Sequence, residues 1–152
     1  MNAVSKQLQK ITREYSQLLK SVTEEKYVFK PLPGKWSKKE ILGHLADSAM
    51  NNIRRFVVAQ YESNPKIVYK QNDWVAIGGY RNYETANLIA LWQLLNEHAV
   101  IVLANMNDAA LQRKCNTNDI QPQTIEWLAN DYIKHLLHHL HQILELQPVP
   151  YP

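Results

Sequence analysis

Val4, Leu8, Ile11, Tyr15, Leu18 and Val22 follow one another in steps of four and three. That spacing draws one apolar stripe along a helix and leaves a strand with no consistent face. It predicts a first helix from about Ala3 to Glu25. The helix must stop before "FKPLPGKW", where two prolines and a glycine forbid continuation. A second helix opens at Ser37. "SKKE" is a capping box, in which the Ser37 hydroxyl accepts from the Glu40 N–H and the Glu40 carboxylate reaches back. Ile41, Leu42, Leu45, Ala49, Ile53, Phe56 and Val57 carry its apolar face to about Tyr61. A third helix is expected from about Tyr83, capped by Asn82, to Met106, and a fourth from near Pro122 to Leu146. The tail "QPVPYP" is too rich in proline to be helical.

Between the second and third helices, "ESNPKIVYKQNDWVAIGGYRN" shows no helical period over roughly 20 residues, long for a connection inside a compact domain. A chain that crosses the bundle needs that length, so the second and third helices can run parallel. The reading is an all-α fold: one domain, residues 1–152, a four-helix bundle with a long crossover between helices two and three.

Composition narrows the function. The net charge is +3, and Lys38-Lys39 and Arg54-Arg55 are only pairs, so no nucleic-acid footprint is expected. The N-terminus lacks the apolar core of a signal peptide, and no stretch approaches the ~18 apolar residues of a membrane span. A cytoplasmic protein without nucleic-acid or membrane partners is expected. The single cysteine, Cys115, excludes an intramolecular disulfide and fits a reducing compartment. Within "RKCNTNDIQPQ" it reads as a loop thiol without a role.

Four of the six histidines lie in "HLLHHLH", residues 135–141. Turning ~100° per residue from Thr124, the apolar face of the fourth helix covers an arc of about 40° to 160°. His139 falls inside it, near 60°, and His135 on its edge, near 20°. Their rings can converge from successive turns, the i, i+4 geometry of helical metal sites. His138 and His141 point outward and read as solvated. A pair alone is a weak signal, and a third ligand must come from another helix. His98 on the third helix and His44 on the second are the candidates. His44 lies about 150° from the centre of its helix's apolar face, in a polar stripe of Glu40, His44, Asp47 and Asn51. That stripe is either a solvated face or the polar wall of a cleft, and periodicity does not choose His44 over His98.

"PGKWSKKEILGHLADS", followed some ninety residues later by "DYIKHLLHHLHQI", resembles the DinB/YfiT-like superfamily of bacterial four-helix metalloproteins, over nearly the whole chain. The resemblance implies up-down-down-up topology, frequent homodimers, and a divalent metal, zinc or nickel, held by three histidines. Matched residue by residue, it selects His44, His135 and His139 and leaves His98 without a role. It also implies the class of chemistry: S-transfer with a low-molecular-weight thiol such as bacillithiol onto an electrophilic substrate, mycothiol-dependent isomerisation, or metal-dependent hydrolysis. Three neutral imidazoles would leave such a metal an open position, where it activates water or a thiol. Asp47 and Asp131, within a turn of His44 and His135, are candidates to orient the ligating rings. In the crossover, Asp73, Trp74 and Tyr80 are candidates to line the substrate pocket, with Gly78-Gly79 letting the chain bend close. Trp36 reads as a core anchor. The rival reading is a non-catalytic bundle whose metal or empty cleft serves stability or dimerisation.

Overall fold

Side-chain oxygens decide where several of the helices begin and, in one case, where one ends. In the computed structural model, which describes residues 1–118 and 120–152, Asn2 caps α1 (Ala3–Lys20) by accepting from the Ser5 N–H at 3.0 Å. Thr23 then accepts from the Lys26 N–H and opens a separate helix, α2 (Glu24–Val28). The expected first helix is therefore broken near Val22, because a threonine cap competes with continuation there. The capping box is present: Glu40 N–H donates to Ser37 Oγ at 3.2 Å and Ser37 N–H to Glu40 Oε2 at 2.8 Å, starting α3 (Lys38–Val58).

The crossover is not structureless. It holds α4 (Gln71–Gly78) and a 3-10 turn (Tyr80–Asn82). A two-turn helix that buries only Val75 leaves no apolar period to read. Asn82 sits in that turn, and α5 (Thr85–Ala104) starts after Glu84 instead. After a short α6 (Asp108–Leu111), the strands β1 (Lys114–Cys115) and β2 (Gln123–Thr124) pair antiparallel. Pro122 thus precedes a strand, and Thr124 caps α7 (Ile125–Leu144). Cys115 is not a loop thiol: it is fully buried in β1, with Sγ 3.3 Å from the Pro65 carbonyl oxygen.

Four hydrogen-bonded contacts set the helix directions. Asn2 Nδ2 donates to the Leu103 carbonyl (2.7 Å), so α1 begins where α5 ends. Lys38 Nζ donates to the Ile143 carbonyl (2.6 Å), so α3 begins where α7 ends. Tyr15 Oη meets His141 Nε2 (2.7 Å), so α1 and α7 end together. Glu24 accepts from both Lys39 and Thr85, so α3 and α5 start together. The bundle is up-down-down-up, with α1 and α3 each packed between α5 and α7. One continuous core fills it, including Leu8, Phe56, Leu88, Trp92, Leu103, Leu136 and Leu140. Contrary to the sequence expectation, α5 is long and apolar enough by composition to cross a membrane. Here it packs against both α1 and α3, burying Leu88, Trp92, Ala99 and Leu103.

Candidate metal centre

α3 is buried without interruption from Lys39 to Ala49. It is covered by α5 on one side and by α7, α2, α4 and the 3-10 turn on others. The stripe of Glu40, His44, Asp47 and Asn51 is therefore a buried polar wall, and His44 is only 1% exposed. Periodicity located the face against the apolar core. It had no means of locating a second face buried under polar neighbours.

His44 projects from α3 toward His135 and His139 on α7. Its Nε2 lies 3.0 Å from His135 Nε2. Ring centroids are 5.0 Å apart for His44–His135 and for His44–His139, and 4.7 Å for His135–His139. One nitrogen from each ring falls within 4.8 Å of the others. Two ligand nitrogens at about 2.0–2.1 Å from a tetrahedral zinc stand roughly 3.3 Å apart, so the donor set fits a divalent ion with modest adjustment. His98 is exposed on α5, outside this cluster.

Burial favours the neutral, lone-pair-bearing form of all three rings. Desolvation, helped by His139, lowers the His44 pKa to about 4. Desolvation and the neighbouring imidazoles lower His135 to about 2. His139 is also lowered by desolvation, while Gln142, 3.0 Å from its Nδ1, acts in the opposite direction. Neutral imidazole is the state that ligates a metal.

The flanking residues fall into distinct places. Tyr80 is buried and donates its hydroxyl to Asp47 Oδ1. Its ring packs so close to α3 that a Cβ at Gly43 would overlap it. Gly79, at φ +67°, ends α4 and turns the chain so that Tyr80 can enter. Asp47 Oδ2 and His44 Nδ1, three residues apart on α3, are both buried without a hydrogen-bond partner among the described residues. Burial pushes the Asp47 carboxyl up to about 6, against the Tyr80 hydrogen bond.

Two clefts flank the histidines. The wider, about 630 Å³, opens beside His139 and is walled by Trp36, Ile41, Gln71, Asn72 and Gln142. The narrower, about 180 Å³, opens beside His135 between Ser48, Asn52 and Arg55 of α3 and Leu128 and Asp131 of α7. Gln71 borders both. From the crossover, then, Gln71 and Asn72 line the clefts, whereas Asp73 and Trp74 line neither, and Trp74 packs edge-on against Tyr69. Trp36 is half-buried with its ring 5.0 Å from that of His44, so it is cleft wall as well as anchor. Asp131 accepts from the Tyr151 hydroxyl at 2.9 Å, and the Tyr151 ring lies 5.2 Å from that of His135.

His141 lies outside the cluster, whereas the His138 ring packs edge-on against that of His139 with centroids 4.9 Å apart; both are half-buried, not solvated as the projection suggested. The His138 ring is 2.7 Å from the Val149 carbonyl oxygen, and the His141 ring 2.7 Å from that of Gln147. They hold the C-terminal tail against α7, which seats Tyr151 beside His135. A proline-rich tail gives no periodic signal for such a return, so Tyr151, Gln71 and Arg55 were invisible to pattern reading.

The fold and the cluster define a class: helical bundles with three imidazoles converging from two facing helices. Residues 7–143 match the DinB superfamily, and the chain belongs to it. It is 26% identical to YfiT of Bacillus subtilis, assigned as a metal-dependent hydrolase, over 91% of this chain and 79% of that one. A second relative with the same assignment, BH0277 of Halalkalibacterium halodurans, is 28% identical over 71% of this chain and 63% of its own. In structure, YfiT superposes with a TM-score of 0.84 at 24% identity, covering 93% of this chain and 82% of YfiT. A mycothiol-dependent maleylpyruvate isomerase superposes with a TM-score of 0.73 at 15% identity, covering 97% of this chain and 63% of the isomerase. These two likenesses establish the shared bundle.

Proposed function

We propose that this protein is a metal-dependent enzyme in which His44, His135 and His139 hold a zinc or nickel ion. In this reading a low-molecular-weight thiol is activated there for transfer to an electrophile, or a water for hydrolysis. The observation that carries the reading is the convergence of three imidazoles, kept neutral by burial, where α3 and α7 face each other. A divalent ion supplies Lewis acidity, bringing the pKa of bound water toward ~7 and holding a thiol as thiolate. The chain's own residues do the rest. His135 and His139, one turn apart, present their rings on a single rigid helix, and His44 closes the third side from α3. Gln142 beside His139 Nδ1 helps fix that ring's orientation. Trp36 covers His44 and limits access of water from that side. The two clefts provide separate approaches for two reactants, as a transfer between a thiol and an electrophile requires.

The test is metal analysis of protein purified without a histidine tag, for wild type and His135→Ala. The expected result is near-stoichiometric metal in the first and little in the second. Equal, negligible metal in both sinks the reading. Metal-loaded protein incubated with cellular thiols and electrophiles, followed by mass spectrometry, then separates S-transfer from hydrolysis by the mass of the product.

A further inference from the structure

Arg55 is the group this chemistry leaves unexplained. Its guanidinium is partly buried in the wall of the narrow cleft that also contains His135. Desolvation lowers its pKa, opposed in part by Tyr69, Cys115, Tyr151 and Asp131. Burying a cation is costly unless a charge or hydrogen bonds compensate. Among the described residues the ion pairs involve Lys26, Lys30, Lys38 and Lys39, and none involves Arg55. Asp131, in the same wall, accepts from Tyr151 and makes no ion pair with it.

The protein does orient the group. Nε and Nη2 donate to the Ile67 carbonyl, each at 3.2 Å, and Nη1 donates to Asn52 Oδ1 at 3.2 Å. The Tyr69 ring lies beneath it, 5.6 Å from the guanidinium carbon. Guanidinium has five N–H donors, and among the described residues these three bonds leave two free, one on Nη1 and one on Nη2. A planar cation held on one edge and one face, with donors to spare, is preorganised for a planar anion. Ser48 and Thr117 add hydroxyls to the same cleft, whose volume of about 180 Å³ admits a few heavy atoms. The carboxylate of Asp131 nearby disfavours a dianion such as phosphate relative to a single negative charge.

We propose that the cleft between His135 and Arg55 is a carboxylate subsite, so that one reactant is a small acid bearing its carboxylate at Arg55 and its reacting group at the histidine cluster. The substrate-class part of this inference rests on the metal-dependent reading above; the anion subsite does not. A purely structural role for Arg55, tying the Ile67 segment to α3, would alter melting temperature without any preference for acids.

The experiment has two arms on the full chain. In metal-free protein, the Arg55 Nε–H resonance is followed by NMR during titration with propionate and with propionamide. A saturable shift with propionate alone is expected, and equal or absent shifts overturn the subsite. In zinc-loaded protein, calorimetry compares 3-mercaptopropionate with 3-mercaptopropanamide. Wild type should favour the acid by on the order of tenfold, and Arg55→Gln should reduce the ratio to about unity while the amide binds as before. Equal binding of acid and amide by wild type, or a preference that survives Arg55→Gln, overturns the proposal. If neither thiol binds the loaded protein while propionate still shifts Arg55, thiol activation fails and the subsite stands. Should Arg55→Gln not fold, the wild-type comparisons decide alone, and Arg55→Lys, which keeps the charge without the fork, should show an intermediate ratio.

Discussion

The bundle has two kinds of seam. Where α1 meets α5, the buried residues include Leu8, Ile11, Leu19, Trp92, Ala99 and Leu103. Most buried polar groups there are satisfied at short range: Thr12 donates to the Leu8 carbonyl, and Asn96 donates to the Trp92 carbonyl and accepts from Tyr132, with Trp92 Nε1 the exception, buried without a hydrogen-bond partner among the described residues. On α3, where it faces α7 and the crossover, the same bundle buries His44, Asp47, Ser48, Asn51 and Asn52, and leaves His44 Nδ1 and Asp47 Oδ2 without hydrogen-bond partners among the described residues. Each unsatisfied buried group costs about 1–3 kcal/mol. One seam therefore supplies stability, and the other spends part of it on a set of groups held ready for ligands. The rigidity of the first is what permits the second.

Substitutions should separate the two. Leu103→Ala in the apolar seam should cost about 2–5 kcal/mol in denaturant unfolding, with metal affinity of the folded protein nearly unchanged. His135→Ala should do the reverse, lowering metal affinity at least about 100-fold while metal-free stability changes little. If both variants lose stability and affinity together, the seams are not separable.

Acid should act on the polar seam first. In metal-free protein the folded-state pKa of His44 is about 4 and that of His135 lower, so the unfolded chain binds more protons below about 6.5. Stability associated with these neutral rings is present above pH ~6.5 and is lost as pH falls toward 4, by on the order of 3 kcal/mol for each ring. Asp47 works oppositely: raised to about 6, it holds a proton in the fold that the unfolded chain releases near 3.8, so its cost grows as pH rises between those values. Urea midpoints between pH 7 and 4.5 should fall for wild type and fall more steeply for Asp47→Asn. A flat profile in both would remove the imidazoles from the account.

Two smaller effects refine the comparison. Gly43→Ala must displace the Tyr80 ring and should cost about 1–3 kcal/mol, with a loss of metal affinity if the Tyr80–Asp47 contact supports His44. Ser37→Ala removes an N-cap and should cost about 1 kcal/mol in stability alone.

Much of this molecule could be read from its order of residues. The four-three stripes, the Ser37 capping box and the prolines placed four helices, and the i, i+4 spacing of His135 and His139 placed both rings on one side of the last. These are local properties, set within a few turns of chain. The third histidine was different. His44 stands about 150° from its helix's apolar face, and sequence reached it only through a family resemblance, because its burial depends on α7 and on Tyr80 folding over α3. Short helices that bury one residue, a tail drawn back by His138 and His141, and an arginine set in a cleft wall without an ion pair among the described residues are likewise products of distant segments meeting. Periodicity records which face of an element meets the apolar core. Which polar groups meet one another across the bundle is decided only when the helices pack.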